Sequence, residues 1–157
     1  MKPHIGISEK KLKDITEMLS DVLADEMELY VKTRKFHWNV TGKSFMELHK
    51  LFEGQYTQLE TAIDEIAERI NKLGSNTIGT LKEFSSRSTL KESPGKYPTE
   101  NQMIKELLGD HETCIIALRK NVDKCADSFG DAGTADFLTG MMIEHETIAW
   151  TLRRYLK

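Results

Sequence analysis

Between Ser44 and Leu73 the chain carries a pattern that only one backbone geometry satisfies. Leu48, Phe52, Tyr56, Leu59, Ile63, Ile66 and Ile70 recur at three- and four-residue intervals, the period of an α-helix rather than a strand. Ser44 followed by Glu47 fits a reciprocal cap at the start, and Leu73-Gly74 supplies a stop. On a wheel advancing ~100° per residue, with His49 at zero, the apolar set centres near ~280°. Glu53 at ~40°, Asp64 at ~60° and Glu68 at ~100° share a stripe with His49, away from the face that packs into the chain's own core. Along the axis the picture differs. His49/Glu53 and Asp64/Glu68 stand about fifteen residues apart, roughly 22 Å at the helical rise. Metal–ligand bonds are ~2 Å long, so no single ion joins the two ends. The helix thus holds two half-sites, and a two-fold axis across its middle would bring the histidine end of one copy against the acidic end of another. Charged residues at i,i+4 spacing are otherwise ordinary solvated surface, and the spacing leaves that reading open.

The remaining sequence places this helix in a bundle. A first helix is expected from about Ser8 to Asn39, roughly 48 Å long, with Ile15, Leu19, Val22, Leu29, Thr33 and His37 on one side. His37 therefore arrives from the end of this helix, a short Asn39-Val40-Thr41-Gly42 turn away from His49. Gly74 to Pro98 has the glycines, serines and prolines of a connection, too long to be a structureless loop without a reason. A crossover running from one end of a bundle to the other supplies that reason, and Thr80–Phe84 is expected to form a helical turn within it. Thr99 with Gln102 offers another reciprocal cap. Beyond it Met103, Leu107, His111, Cys114, Leu118, Val122 and Cys125 form an apolar stripe as far as Phe129, ended by Gly130. The last helix is expected from about Thr134, with Phe137, Met141, His145, Ile148, Leu152 and Tyr155 inward. The fold class expected is all-α: a four-helix bundle with one long crossover carrying a short helix, over residues 8–157, after a short tail at 1–7. His111 and His145 are expected as core histidines, with Asp110, Glu112, Glu144 and Glu146 mostly on other faces. Nowhere does His follow Glu by three residues, the spacing on which a di-iron centre inside one bundle depends.

His37-Trp38-Asn39-Val40, then Gly42, Phe45 and His49, followed by Asp64-Glu65-Ile66-Ala67-Glu68-Arg69, resembles the signature of the Dps proteins, the miniferritins of the ferritin-like superfamily. The resemblance covers nearly the whole chain and includes the Gly133-Thr134-Ala135-Asp136-Phe137-Leu138-Thr139 segment. It implies an inter-subunit ferroxidase centre at a two-fold interface. Carried over by position, His37 and His49 are nitrogen ligands from one subunit, and Asp64 and Glu68 are carboxylates from its partner. Glu53 stands where many members have aspartate. Fe(II) would be oxidised there, commonly by hydrogen peroxide in preference to dioxygen, and stored as a ferric mineral inside a shell of twelve subunits built from two-fold dimers. Protection against oxidative stress follows from that chemistry. The resemblance also places Asp131 and Asp136 near three-fold channels, where carboxylates draw in cations, although Gly133 replaces an acidic residue of some relatives. Two imidazoles with several carboxylates suit iron and also accept zinc or manganese.

Charge and composition narrow the alternatives. The net charge is -3, which does not advertise nucleic acid; Lys2, His4, Lys10, Lys11, Lys13 and the Arg153-Arg154-Tyr155-Leu156-Lys157 end are the local basic features. A DNA-compacting protein with secondary iron chemistry is therefore the less favoured alternative, and a plain helical scaffold is another. No apolar run approaches the ~20 residues of a membrane span, and the first residues lack an apolar signal segment, so a cytoplasmic address is expected. Cys114 and Cys125 fall about 16 Å apart on one expected helix, too far for a disulfide and simplest as small core residues.

Overall fold

The computed structural model describes residues 3–156; Met1 and Lys2 of the expected tail, and Lys157, lie outside the described residues. The helices are α1 (Glu9–Asn39), α2 (Phe45–Lys72), α3 (Leu81–Arg87), α4 (Glu100–Asp123) and α5 (Ala132–Tyr155), with a π-helical turn, Lys124–Phe129, extending α4. Among the described residues there is no strand. The four long helices form the expected bundle, with α1 packed on α2 and α4 on α5.

Local chemistry explains most of the boundaries. The Ser8 side chain accepts from the Lys11 amide at the start of α1. At the end of α2 the Gly74 amide donates to the Asn71 carbonyl and the Ser75 amide to that of Ile70. This closure needs the left-handed φ of +90° that Gly74 provides. Ser44, by contrast, makes no side-chain cap bond. Glu47, expected to complete that cap, instead accepts from the Tyr155 hydroxyl at 2.8 Å, fastening the end of α5 to the start of α2. The last helix begins at Ala132 rather than Thr134, because Asp131 caps it by accepting from the Thr134 amide at 3.0 Å.

The crossover is fastened, not slack. Thr80 and Glu83 form a reciprocal cap on α3, and Thr99 and Gln102 form the expected one on α4. Arg87 reaches Asp21 (2.9 Å) and Glu17 (2.7 Å) on α1. Asp25 then accepts from the Ser88 hydroxyl and from the amide and hydroxyl of Thr89. Two charged residues and a buried carboxylate of α1 thereby hold the connection along the bundle.

The interior is divided. One apolar cluster joins Leu12–Ala24 of α1 to Ala62–Leu73 of α2, Leu118 and Cys125, and the first half of α5. A second joins Leu29–Val40 to Leu48–Leu59, the first half of α4, and Ile148 and Leu152. Each pairs the start of one helix with the end of its neighbour, which is how antiparallel helices pack. At the waist between them lie buried polar groups: Asp25, Glu26, His111 and His145.

Candidate metal centre

His37 occupies the last turn of α1 and His49 the second turn of α2. The turn between them depends on Gly42, whose φ of +119° disfavours a side chain and whose added Cβ would stand 2.6 Å from Glu100 Oε2. The two rings then stack, with centroids 3.7 Å apart and planes inclined by 19°. Each is held by the other's backbone. His37 Nδ1 donates to the His49 carbonyl at 2.7 Å, and His49 Nδ1 donates to the His37 carbonyl at 2.9 Å. A carbonyl only accepts, so both Nδ1 atoms carry the proton, and in the neutral rings both Nε2 atoms are lone-pair donors. This is the orientation that metal-binding histidines obtain from their outer partners. Phe45 lies beside His49 and the edge of Tyr56 beside His37, each 5.2 Å between centroids.

The carboxylates stand as the wheel places them. Glu53, Asp64 and Glu68 are all exposed on α2. Glu68 pairs with Lys72 at 2.9 Å, a contact between two well-exposed side chains that costs little to exchange. A groove lined by Met27, Tyr30, Thr57, Glu60 and Ile63, with Asp64, runs along the α1–α2 face. Among the described residues, the side chains that converge as three metal-type ligands are Glu26, Cys114 and His145. The five residues expected at the ferroxidase centre do not converge within one chain.

Comparison with known proteins agrees with this architecture. The ferritin-like domain family matches residues 16–157. DNA protection during starvation protein 2 of Bacillus anthracis is 37% identical over 144 residues, covering 92% of this chain and 97% of that protein. The chain belongs to the Dps branch of the ferritin-like family. The crystal structure of a Dps protein from Vibrio cholerae, described as one of the ferritin-like diiron-carboxylate proteins, superposes with a TM-score of 0.93. It is 28% identical, and the match covers 99% of this chain and 97% of that one. An uncharacterised low temperature-induced protein of Nostoc is 45% identical over 98% of this chain and 86% of its own length.

In this Dps chain two expected features take a different form. Asp131 is buried, accepts from Arg69 at 3.3 Å, and also receives the Thr134 hydroxyl. It is thus committed to the turn, and of the two carboxylates expected near a channel only Asp136 is exposed. Lys11, from the small basic patch, donates to the Phe129 carbonyl at 3.3 Å. Among the described residues, no helix is long and apolar enough to cross a membrane.

Sequence reasoning missed Glu26. His111 and His145 are core histidines as expected, but their partners are each other, Nδ1 to Nδ1 at 2.8 Å, and Glu26, which His145 Nε2 meets at 2.8 Å. The signal was present: Glu26 lies four residues after Val22 and three before Leu29, inside the apolar stripe of α1. Burial lowers the His145 pKa, but the charge and hydrogen bond of Glu26 outweigh it and the net shift is upward. His111 moves well below the ordinary imidazole value, through burial and then the neighbouring His145. Both cysteines are free and buried, and burial holds the Cys114 thiol well above its usual value and pushes that of Cys125 up to about 11.

Proposed function

We propose that the protein is a miniferritin that oxidises Fe(II) at sites shared between two subunits and stores the ferric product inside a closed homo-oligomer. The carrying observation is the reciprocal clasp of His37 and His49, which leaves two Nε2 lone pairs available together. His37, His49 and Glu53 form one half of the site. Asp64 and Glu68 of a two-fold partner form the other, since one helix separates the ends by roughly 22 Å. The α1–α2 groove offers a concave surface on which the partner's α2 can lie.

The ligand set fits the substrate. Imidazole and carboxylate without thiolate suit Fe(II), and zinc or manganese would compete for the same donors. The negative carboxylates favour the higher charge of Fe(III), so binding itself promotes loss of the electron. With hydrogen peroxide as oxidant, two Fe(II) each give up one electron, and the peroxide takes two electrons and two protons to become two waters. Removing both reagents together protects the cell from hydroxyl radical. Asp136, exposed in the first turns of α5, supplies carboxylates for cation entry, and the shell is a dodecamer of two-fold dimers.

His37→Ala and His49→Ala test the site. Each is expected to slow peroxide-driven Fe(II) oxidation at least tenfold, the scale on which loss of a ligand-orienting partner acts, while size-exclusion chromatography shows unchanged assembly. Oxidation at the wild-type rate in both variants would overturn the assignment. A band shift with duplex DNA at low salt that vanishes at higher salt would instead favour the DNA-compacting alternative.

A further inference from the structure

We infer that the waist of the bundle is a second metal site, in which Glu26 of α1, Cys114 of α4 and His145 of α5 bind one zinc-type divalent ion within a single chain. One ligand atom from each of the three lies within 4.8 Å of the others, and all three residues are buried. The set is incomplete as a hydrogen-bond network. Glu26 Oε2 and His111 Nε2 are both buried and have no partner, although buried polar groups are normally satisfied. His111 is fully buried, and its Nδ1 meets His145 Nδ1. It is the outer partner that orients a ligating histidine through the nitrogen not used for metal.

The binding step balances. The ion replaces the proton shared by His145 Nε2 and Glu26 Oε1 and the proton of the Cys114 thiol, so two protons leave as one dication enters. Thiolate and carboxylate then neutralise the ion, and no net charge remains buried. A thiolate beside imidazole and carboxylate selects zinc, or cobalt as its spectroscopic substitute, over the harder cations that an all-oxygen site would favour. The inter-subunit centre contains no thiolate, so the two sites differ in chemistry as well as place. The ion would join three of the four long helices where the apolar core is interrupted.

Cobalt(II) reports the thiolate directly. The oligomer is produced in cobalt-supplemented medium, because the buried ligands load most readily during folding, and its absorption is recorded per chain. A sulfur-to-cobalt charge-transfer band in the near ultraviolet is expected. It should persist in His49→Ala and Cys125→Ser and disappear in Cys114→Ser; Glu26→Gln should lose cobalt to a chelator at least tenfold faster. No such band in the cobalt-loaded protein, or a band retained by Cys114→Ser, overturns the site. Should Cys114→Ser fail to fold, zinc-edge X-ray absorption on the zinc-loaded His49→Ala protein decides without it. One sulfur neighbour at ~2.3 Å is the supporting result, and a shell of nitrogen and oxygen alone is the contradicting one.

Discussion

Two hydrogen bonds decide what His37 and His49 can do. Each ring is clasped by the other residue's backbone carbonyl, which a change to alanine leaves in place, so the surviving ring keeps its orientation and what is lost is one of two nitrogen donors to one proposed site. The two losses should therefore be non-additive: the double His37→Ala/His49→Ala variant should oxidise Fe(II) little more slowly than either single variant. Product-like multiplication of the single effects in initial-rate measurements would show that the rings act independently. Asp131 gives a contrasting residue-scale test. It caps α5 and receives Arg69 and Thr134 in a buried position, so Asp131→Ala should cost about 2 kcal/mol of stability, the upper range for a lost cap. Asp131→Asn, which keeps the cap oxygen, should cost distinctly less in thermal unfolding. The acidic pair was legible in sequence because spacing on one helix is fixed, and the histidine pair because a short turn joins the helices that carry them. Reciprocity was not, since it depends on the path of a turn that hydrophobic pattern does not encode.

At the level of elements, periodicity revealed the four long helices because each buries one stripe. It placed the ends at Ser44 and Gly130 but did not show how they are made. Ser44 and Glu47 have the right spacing for a cap, yet Tyr155 reaches Glu47 from 108 residues away, and no local rule sees that competitor. The π-helical turn before Gly130 retains Cys125 and Phe129 in the core, so its apolar spacing still reads as α-helix. The short α3 illustrates a cap whose strength depends on charge. Hydrogen bonds from the Thr80 side chain, then from the amides of Gly79 and Thr80, hold Glu83 below its ordinary value of 4.5. Its folded value is depressed, so its contribution is present above about 4.5 and is lost as pH falls through the lower folded value. The protection of the Phe84–Arg87 amides, expressed relative to the intrinsic exchange rate at each pH, should fall in acid accordingly. In Glu83→Gln the acid-dependent part should be missing, and equal acid sensitivity in both proteins would contradict the role given to the carboxylate.

For the whole molecule, what matters is that the proposed centre is one a single chain leaves unfinished. Its stacked histidines and its acidic pair lie near opposite ends of α2, and Trp38, Met46, Ile116, Ile143 and Trp150 are exposed apolar side chains. Apolar residues scattered singly need no explanation; in the proposed shell they would gain neighbours. Chromatography of the purified protein should accordingly show a large closed assembly with no stable monomer at working concentrations. The most direct measurement uses hybrid oligomers of His49→Ala and Asp64→Ala subunits, mixed under conditions where exchange is verified by mass. Each parent should be slow. The mixture should regain a substantial fraction of the wild-type oxidation rate, because some interfaces then combine an intact histidine half with an intact acidic half. A mixed assembly no faster than its parents would contradict a centre divided between two subunits.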